Sequence, residues 1–290
     1  MPTQALPSGS TPSIFKLDID CCFQSTNFSI FRGVLKLDFA KETVLITGAS
    51  SGLGEAMSLR FSELGAKVVM LARRKDRLSK LQKQLKNNSF YVAIDISNTK
   101  EVAELPKDIP DEFSDISVLI NNAASGTDRG PVQAAKLQDW DEMIDVNVKG
   151  LLHITKAFLP KLLQRSHGHI INIGSLAGQF PGPNNAVYSA TKAFVRQFSK
   201  NMKSDLISSN VRCTYIAPGA VETEFSLVRW HGDKNKASKI YEGYEGMTAK
   251  DIADAAIYAC SAPLNVDVTE IEIMPHAQGF GPRIFHRQPK

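Results

Sequence analysis

The pattern of apolar positions along this 290-residue chain changes character near residue 42. Beyond that point, short runs rich in β-branched residues alternate with longer segments of helical periodicity, which predicts strands separated by helices. Seven segments read as strands: 43–47, 67–71, 90–94, 116–120, 169–173, 211–216 and 270–273. Because these runs are almost continuously apolar, both faces of their sheet should be covered. The pattern predicts an α/β fold, a doubly wound seven-stranded parallel sheet with helices on both faces.

The first 40 residues differ from the rest, since Pro, Ser and Thr crowd the first dozen positions and no clear periodicity follows. We expect residues 1–40 to be an appended or poorly structured N-terminal extension, and residues 41–290 to form a single domain that includes the C-terminal tail. The extension lacks the apolar core of a secretory signal and is a poor transit peptide. No apolar run is long enough to cross a bilayer. A cytoplasmic protein without a membrane partner is therefore expected.

Two predicted helices, 148–164 and 186–208, are apolar over more than one stripe. One face of each should pack on the sheet. The surplus apolar surface suits a partner subunit, and we expect a homo-oligomer, either a tetramer or a dimer. A deeply buried helix in a monomer would show the same pattern.

Charge and cysteine content exclude some classes of partner. The 34 Lys and Arg residues against 30 Asp and Glu residues give a net charge of +4, and the basic residues are scattered, so no nucleic acid partner is expected. The four cysteines and six histidines show no ligand spacing, so we expect no metal and a reducing compartment. A small molecule remains as the expected partner.

A glycine-rich turn follows the first strand and precedes a helix. A tight turn with close helix packing is the structural alternative, but its position after the first of many alternating strands favours a pyrophosphate-binding turn, with backbone N–H groups and the helix dipole directed at the phosphates. Its candidate cofactor-binding residues are Gly48, Ser50, Ser51, Gly52, Leu53 and Gly54.

The second strand ends in Arg73 and Arg74, where an NAD-binding unit would carry an acid for the ribose 2′-hydroxyl. Guanidinium groups instead form charge-assisted bonds to a 2′-phosphate, so NADP is the predicted cofactor. The alternative is a solvated start to the next helix, which is also basic. The third and fourth strands end in Asp95-Ile96 and Asn122-Ala123, where Asp95 can accept a hydrogen bond from the adenine amino group and small residues let the chain pass close to the cofactor.

The candidate catalytic group follows the fifth strand. Tyr188 and Lys192 are four residues apart on a predicted helix and so share a face. Free tyrosine has a pKa of about 10, and a neighbouring ammonium together with the positively charged nicotinamide should favour the phenolate. The same group then serves as the acid in reduction. Ser175, at the end of the fifth strand, can hydrogen-bond the substrate oxygen.

In combination and in order, these motifs resemble the short-chain dehydrogenase/reductase family over about residues 42–275: the TGxxxGxG turn, NNA, Asn147, Ser175, YxxxK and Pro218-Gly219. The resemblance implies a Rossmann-type fold and a catalytic tetrad of Asn147, Ser175, Tyr188 and Lys192. It also implies that Asn147 holds a helix distortion and a water that relay protons from Lys192, and that Lys192 binds the nicotinamide ribose. The loop containing Pro218, Gly219, Val221 and Thr223 would then contact the nicotinamide carboxamide.

The chain departs from the family pattern at two positions. Ala124 stands where the family usually has Gly, and its methyl group is tolerable if its φ is negative. Ser51 stands at a position that is often basic in NADP-using members, which leaves phosphate recognition to Arg73 and Arg74.

A narrower resemblance lies in the second half of the chain, in GHIINIGS from Gly168, in the segment from Tyr188 to Phe198, and in TEFSLVR from Thr223. These segments are similar to the NADP-dependent serine and 3-hydroxy acid dehydrogenases. The similarity implies oxidation of the 3-hydroxyl of small acids such as serine, allo-threonine or 3-hydroxyisobutyrate, or reduction of the matching semialdehydes, by a homotetramer.

A carboxylate substrate needs a cation, and we expect Arg229 to supply it. The expected substrate-binding residues are therefore Ser175, Tyr188 and Arg229. The alternative for Arg229 is an ion pair with Glu222, Glu224 or Asp233.

Three rival functions follow from the same residues. An NADPH-dependent carbonyl reductase of larger lipid, steroid or 3-oxoacyl substrates would suit the apolar residues in the segment from Glu222 to Gly246. A catalytically idle NADP-binding interaction protein would not need the tetrad intact. A serine hydrolase built on Ser175 is excluded, because Ile173 stands where the GxSxG motif has its first glycine.

Overall fold

A seven-stranded, all-parallel sheet forms the centre of the molecule, in the order β3-β2-β1-β4-β5-β6-β7. The computed structural model describes residues 37–85, 88–127, 130–230, 232–281 and 284–287. The strands are β1 (Thr43–Thr47), β2 (Lys67–Ala72), β3 (Ser89–Ala93), β4 (Val118–Asn121), β5 (Gly168–Ile173), β6 (Val211–Pro218) and β7 (Glu270–Ile273). The predicted doubly wound sheet is confirmed. Because strand order reverses between β1 and β4, a crevice opens there at the carboxyl ends of the strands.

Helices connect successive strands on both faces of the sheet. They are α1 (Gly52–Glu63), α2 (Lys75–Gln82), α3 (Thr99–Asp108), α4 (Leu137–Ile144), α5 (Leu151–Leu163), α6 (Ala186–Asp205), α7 (Glu224–Arg229), α8 (Lys234–Ser238) and α9 (Ala249–Ser261). A π-helical turn, Asp145–Gly150, joins α4 to α5. The segment predicted as one helix from residue 148 therefore begins inside this distorted turn.

The core lies in two layers, one on each face of the sheet. One layer joins β1 and β2 to α1 and α9, with Met57, Phe61 and Ile252 fully buried. The other joins the opposite face of the same strands to α3, α5 and α6, with Leu105 and Phe158 fully buried. Every residue of β1 and β5 is buried, as expected for strands covered on both faces. The rigid sheet thus fixes the strand ends that carry the candidate site.

The described part of the chain begins within the expected N-terminal extension. Leu37 and Phe39 are buried in the first core layer, and the Phe39 ring meets Phe61 edge-on at 5.6 Å. Residues 37–40 therefore pack with the domain, while residues 1–36 lie outside the described residues.

Over the same described ranges, no helix is both long enough and apolar enough to cross a membrane. Nor does any group of three or more His, Cys, Asp or Glu side chains in those ranges come close enough together to hold a metal ion.

Candidate active site

A cleft of about 800 Å³ lies at the carboxyl ends of the strands. It brings together residues that are far apart in sequence but were predicted as site residues. Those that line it are Gly48, Ser50, Ser51, Gly52, Leu53, Arg73, Arg74, Asp95, Ile96, Asn122, Ala123, Ser175, Tyr188, Lys192, Pro218, Gly219, Val221, Thr223 and Arg229. Gly54 and Asn147 are buried behind its walls.

The turn between β1 and α1 has the backbone that a phosphate site requires. Gly48 and Gly52 have φ angles of +68° and +57°, in the left-handed region that favours glycine. A Cβ on Gly54 would lie 2.4 Å from the Gly48 carbonyl oxygen, so its hydrogen lets α1 pack against the turn. The Asn122 side chain donates to the carbonyl oxygen of Thr47 at 2.8 Å, which ties the end of β4 to the turn. These contacts leave a shallow cradle at the N-terminus of α1.

Basic residues stand beside this cradle, at the end of β2. Arg74 donates to the hydroxyls of Ser50 at 3.2 Å and Ser51 at 2.7 Å, and to the Glu224 carboxylate at 3.0 Å. Arg73 is more exposed, and its guanidinium lies 3.9 Å from Asp95. A 2′-phosphate on the adenosine ribose would meet positive charge here, whereas a bare hydroxyl would meet no acid at the end of β2.

One oxygen of the Asp95 carboxylate is hydrogen-bonded within the turn that contains it. Its Oδ1 atom accepts hydrogen bonds from the backbone N–H of Ser97 at 3.0 Å and from the Ser97 hydroxyl at 2.8 Å. Its other oxygen faces Arg73. The carboxylate is thereby fixed at the edge of the cleft.

Tyr188 and Lys192 share one face of α6 and are both buried. The Lys192 ammonium lies 5.9 Å from the centre of the Tyr188 ring and donates to the Ile173 carbonyl oxygen at 2.9 Å. Burial lowers the pKa of Lys192, the neighbouring Tyr188 acts in the opposite direction, and the charge of Arg229 adds to the lowering. The ammonium is thus held beside the phenol by a backbone contact at the end of β5.

Ser175 caps the short turn after β5. Its Oγ accepts a hydrogen bond from the backbone N–H of Ala177 at 3.1 Å, which leaves the hydroxyl proton available to a substrate oxygen. The Tyr215 hydroxyl accepts from the backbone N–H of Ser175 at 3.2 Å and donates to its carbonyl oxygen at 3.1 Å. A Cβ on Gly174 would lie 2.0 Å from the Tyr215 ring, so the glycine makes room for this tyrosine. Tyr215 therefore holds the backbone of the candidate catalytic serine.

Asn147 lies within the π-helical turn, where the resemblance implied a helix distortion. Its side chain accepts from the backbone N–H of Ser125 at 2.8 Å and donates to the Ser125 carbonyl oxygen at 2.9 Å. It also donates to the Thr191 hydroxyl at 3.0 Å, and that hydroxyl donates to the Tyr188 carbonyl oxygen. Asn147 thus links the loop after β4 to the helix that carries Tyr188.

The described residues of the segment 222–246, that is 222–230 and 232–246, are called the lid here, and they cover the substrate end of the cleft with α7 and α8. The Arg229 guanidinium lies 4.6 Å from the centre of the Tyr188 ring and 4.5 Å from that of Phe225. Its Nε donates to the Gly126 carbonyl oxygen at 3.2 Å. Two of the three carboxylates suggested as its partners form other ion pairs, Glu224 with Arg74 and Arg77, and Asp233 with Lys236. Arg229 thus places a positive charge beside the candidate catalytic phenol.

The C-terminal segment 284–287 contacts the lid and contributes Phe285 and Arg287 to the lining of the cleft. The Phe285 ring stacks on Tyr244 with centroids 4.6 Å apart, and Arg287 donates to the carbonyl oxygens of Ile240 at 3.2 Å and Lys239 at 3.4 Å. Glu242 contributes a further carbonyl contact with Arg287.

Several site contacts were missed at the level of the sequence. Arg77 lies one helical turn after Arg74, and that spacing was a usable signal that the two share a face. By contrast, Glu224 and Tyr215 are brought to the site only by the tertiary fold, so no local sequence pattern could have predicted their contacts. Ala124 lies outside the residues with positive φ, so its methyl group is accommodated.

The parallel sheet, the phosphate cradle and the Ser175, Tyr188 and Lys192 group define an oxidoreductase of the short-chain type. A family model described as short chain dehydrogenase matches residues 42–232. The chain belongs to this family, and the prediction of an oxidoreductase is confirmed.

Individual relatives narrow the comparison. The chain is 44% identical over 245 residues to the NADP-dependent 3-hydroxy acid dehydrogenase YdfG of Salmonella typhi, covering 84% of this chain and 99% of the relative. It is 39% identical over 242 residues to sulfoacetaldehyde reductase 2 of Chromohalobacter salexigens, covering 82% and 96%. A solved structure of the closed form of serine dehydrogenase complexed with NADP+ is 42% identical, with a TM-score of 0.80 over 84% of this chain and 99% of that one. The names of the first relative and of the solved structure include NADP, in agreement with the cofactor predicted from Arg73 and Arg74.

Proposed function

We propose that this protein is an NADP-dependent dehydrogenase that moves a hydride between the nicotinamide and the 3-hydroxyl, or semialdehyde, carbon of small 3-hydroxy acids. The observation that carries the proposal is the Arg229 guanidinium, 4.6 Å from the Tyr188 ring in the same cleft. A carboxylate on the substrate would pair with this cation while its hydroxyl meets Tyr188. The named relatives act on 3-hydroxy acids, serine or sulfoacetaldehyde, all small polar molecules.

The residues present fit NADP. The cradle formed by Gly48, Gly52 and Gly54 would fill with side chains if these residues were substituted, and it accepts a pyrophosphate at the N-terminus of α1. Arg73 and Arg74 would hold the 2′-phosphate. When bound, NADP supplies the nicotinamide carbon that takes up or releases the hydride.

The residues of this chain position the substrate and move its proton. Ser175 donates its hydroxyl proton to the substrate oxygen, while its Oγ accepts from the backbone N–H of Ala177. Tyr188 takes the hydroxyl proton in oxidation and returns it in reduction. The Lys192 ammonium favours the phenolate by charge, and we assign it the nicotinamide ribose as well. Asn147 holds the loop at Ser125 and the helix at Thr191 in register around them.

A substrate panel tests the proposal. Oxidation of serine, allo-threonine and 3-hydroxyisobutyrate, and reduction of sulfoacetaldehyde and of a long-chain 3-oxoacyl thioester, should be measured with NADP(H) and NAD(H) side by side. We expect the highest kcat/KM with a small hydroxy acid and NADP. Preference for the thioester would favour the carbonyl reductase of larger substrates, and equal use of NAD would contradict the role given to Arg73 and Arg74.

The Arg229→Gln variant separates charge recognition from the chemical step. Loss of a charge-assisted contact should raise KM for acid substrates by about 10-fold or more, with a smaller effect on neutral alcohols. Lys234→Gln is the matched control, because it removes one positive charge from an exposed position of the same lid. An equal effect of Arg229→Gln on acids and on neutral alcohols would remove Arg229 from the substrate site.

The Tyr188→Phe variant tests the alternative that the chain is a catalytically idle NADP-binding protein. It should lose turnover while NADPH binding, followed by fluorescence, changes little. Turnover near that of the wild-type protein would contradict the assigned proton transfer. Assembly into a tetramer or dimer and a cytoplasmic location complete the proposal.

A further inference from the structure

The lid and the predicted 2′-phosphate site share one carboxylate. Glu224, the first residue of α7, accepts two hydrogen bonds from Arg77, at 2.6 and 2.9 Å, and one from Arg74, at 3.0 Å. The three side chains are between 27% and 41% exposed, so the ion pair is partly shielded from water. It joins the end of β2 and the start of α2 to a segment about 150 positions further along the chain.

Arg74 is the centre of this arrangement. The same guanidinium contacts the hydroxyls of Ser50 and Ser51 on the phosphate turn and the carboxylate of Glu224 on the lid. Hydrogen bonds from Arg77 and Arg74 lower the pKa of Glu224 to about 2, so the carboxylate stays charged across the neutral range. A phosphate that binds Arg74 therefore meets a guanidinium already shared with an anion.

We propose that Glu224 is a positioning residue whose carboxylate holds the lid against the arginines that bind the 2′-phosphate. It thereby favours the closed lid and lowers the affinity of these arginines for the phosphate. Its carboxylate anchors α7, which carries Phe225 and Arg229 over Tyr188. The same negative charge offsets the charges of Arg74 and Arg77 and so weakens their hold on a phosphate. The inference rests on the proposed use of NADP and adds a residue that couples the two ends of the cleft.

Two opposite effects follow from replacing Glu224 with Gln. Without the carboxylate, the two guanidinium charges are uncompensated, so affinity for a 2′-phosphate should rise. At the same time α7 loses its ionic anchor, so the lid should open more often and the substrate should bind less tightly. A residue that only supported the fold would not improve one binding reaction while impairing the other.

The first measurement uses adenosine 2′,5′-bisphosphate, which carries the 2′-phosphate but no nicotinamide. Calorimetric titration should give a dissociation constant roughly 3- to 10-fold lower for Glu224→Gln than for the wild-type protein, the size expected for one partly exposed charge pair. Adenosine 5′-monophosphate, which lacks the 2′-phosphate, should bind both proteins alike. Glu222→Gln is the matched control, since it removes the same charge from an exposed position two residues away.

The second measurement follows the lid. In saturating NADP, Glu224→Gln should raise KM for the preferred hydroxy acid several-fold and accelerate tryptic cleavage within residues 222–246, and Glu222→Gln should do neither. Arg77→Met removes the side chain that donates two hydrogen bonds to Glu224. It should therefore loosen the lid without raising affinity for adenosine 2′,5′-bisphosphate. Glu224→Asp, which keeps the charge, should lie between the wild-type protein and the Gln variant.

The outcomes separate this inference from the proposed function. If the wild-type protein binds adenosine 2′,5′-bisphosphate no better than adenosine 5′-monophosphate, the assignment of NADP fails, and the inference fails with it. If it does discriminate, but Glu224→Gln leaves both measurements unchanged or weakens binding of the bisphosphate, NADP use stands and the proposed role of Glu224 is wrong.

Discussion

At the scale of single residues, the hydroxyl of Tyr215 makes a separable contribution to the site. The residue is 1% exposed, and burial raises the pKa of its phenol to about 12, so the hydroxyl remains protonated and able to donate near neutral pH. Tyr215→Phe keeps the ring beneath Gly174 and removes both contacts with the backbone of Ser175. We expect kcat to fall roughly 3- to 30-fold and the free energy of unfolding to fall by about 1–2 kcal/mol, measured by steady-state kinetics and urea denaturation.

Tyr258→Phe is the control for this change, because Tyr258 lies on α9 and is 57% exposed. It should alter neither quantity. A Tyr215→Phe variant that lost stability but kept wild-type kcat would show that Tyr215 only fills space under Ser175.

At the scale of elements, the sequence predicts what local pattern determines. The edge strand β7 has the predicted limits, 270–273, because glutamate and isoleucine alternate over these four residues. The strand predicted at 116–120 begins two residues later, at Val118, and ends at Asn121. Just before it, the Ser117 hydroxyl accepts a hydrogen bond from the backbone N–H of Thr43 at 3.2 Å. The π-helical turn at Asn147 was implied by family resemblance alone, because hydrophobic periodicity does not register a single added residue per turn.

Candidate site residues follow the same division. Those in the glycine turn and at the strand ends could be predicted, because their position in the chain determines their place in a doubly wound sheet. The contact between Glu224 and Arg77 could not, because it depends on how the lid folds back across about 150 residues of intervening chain.

The pairing of β5 with β6 buries the imidazole of His169. His169 is 2% exposed, and its Nε2 lies 2.8 Å from the Thr214 hydroxyl, which itself donates to the Val268 carbonyl oxygen. Because that hydroxyl has only one proton and donates it to Val268, His169 must donate through Nε2. Burial, reinforced by the charge of Arg212, lowers the pKa of His169 well below 6.5.

This burial makes stability depend on pH. As pH falls below the pKa of the unfolded chain, about 6.5, the unfolded state takes up a proton that folded His169 cannot accept. The associated stability is present above that value and is lost below it, with a slope of up to about 1.4 kcal/mol per pH unit. His169→Asn should remove this slope between pH 6.5 and 5, measured by urea denaturation. If the variant and the wild-type protein lost stability in parallel over that range, other groups would account for the acid sensitivity.

At the scale of the whole molecule, the fold leaves aromatic surface on α6 that the core does not use. Phe194 is 37% exposed and stacks on Phe198 with centroids 5.9 Å apart, and Leu163 at the end of α5 is 45% exposed. Both helices cover the same face of the sheet. Packing between copies of this chain would bury these side chains.

The Phe194→Asp variant tests this assembly. We expect the wild-type protein to run as a tetramer or dimer in size-exclusion chromatography with light scattering, and the variant to run as a smaller species, because an unpaired carboxylate is costly to bury in an apolar interface. Gln84→Asp adds the same charge at an exposed position beyond α2, near the opposite edge of the sheet, and should leave the mass unchanged. If the wild-type protein were monomeric at the concentrations used for kinetics, the extra apolar residues of α5 and α6 would instead serve core packing within one copy.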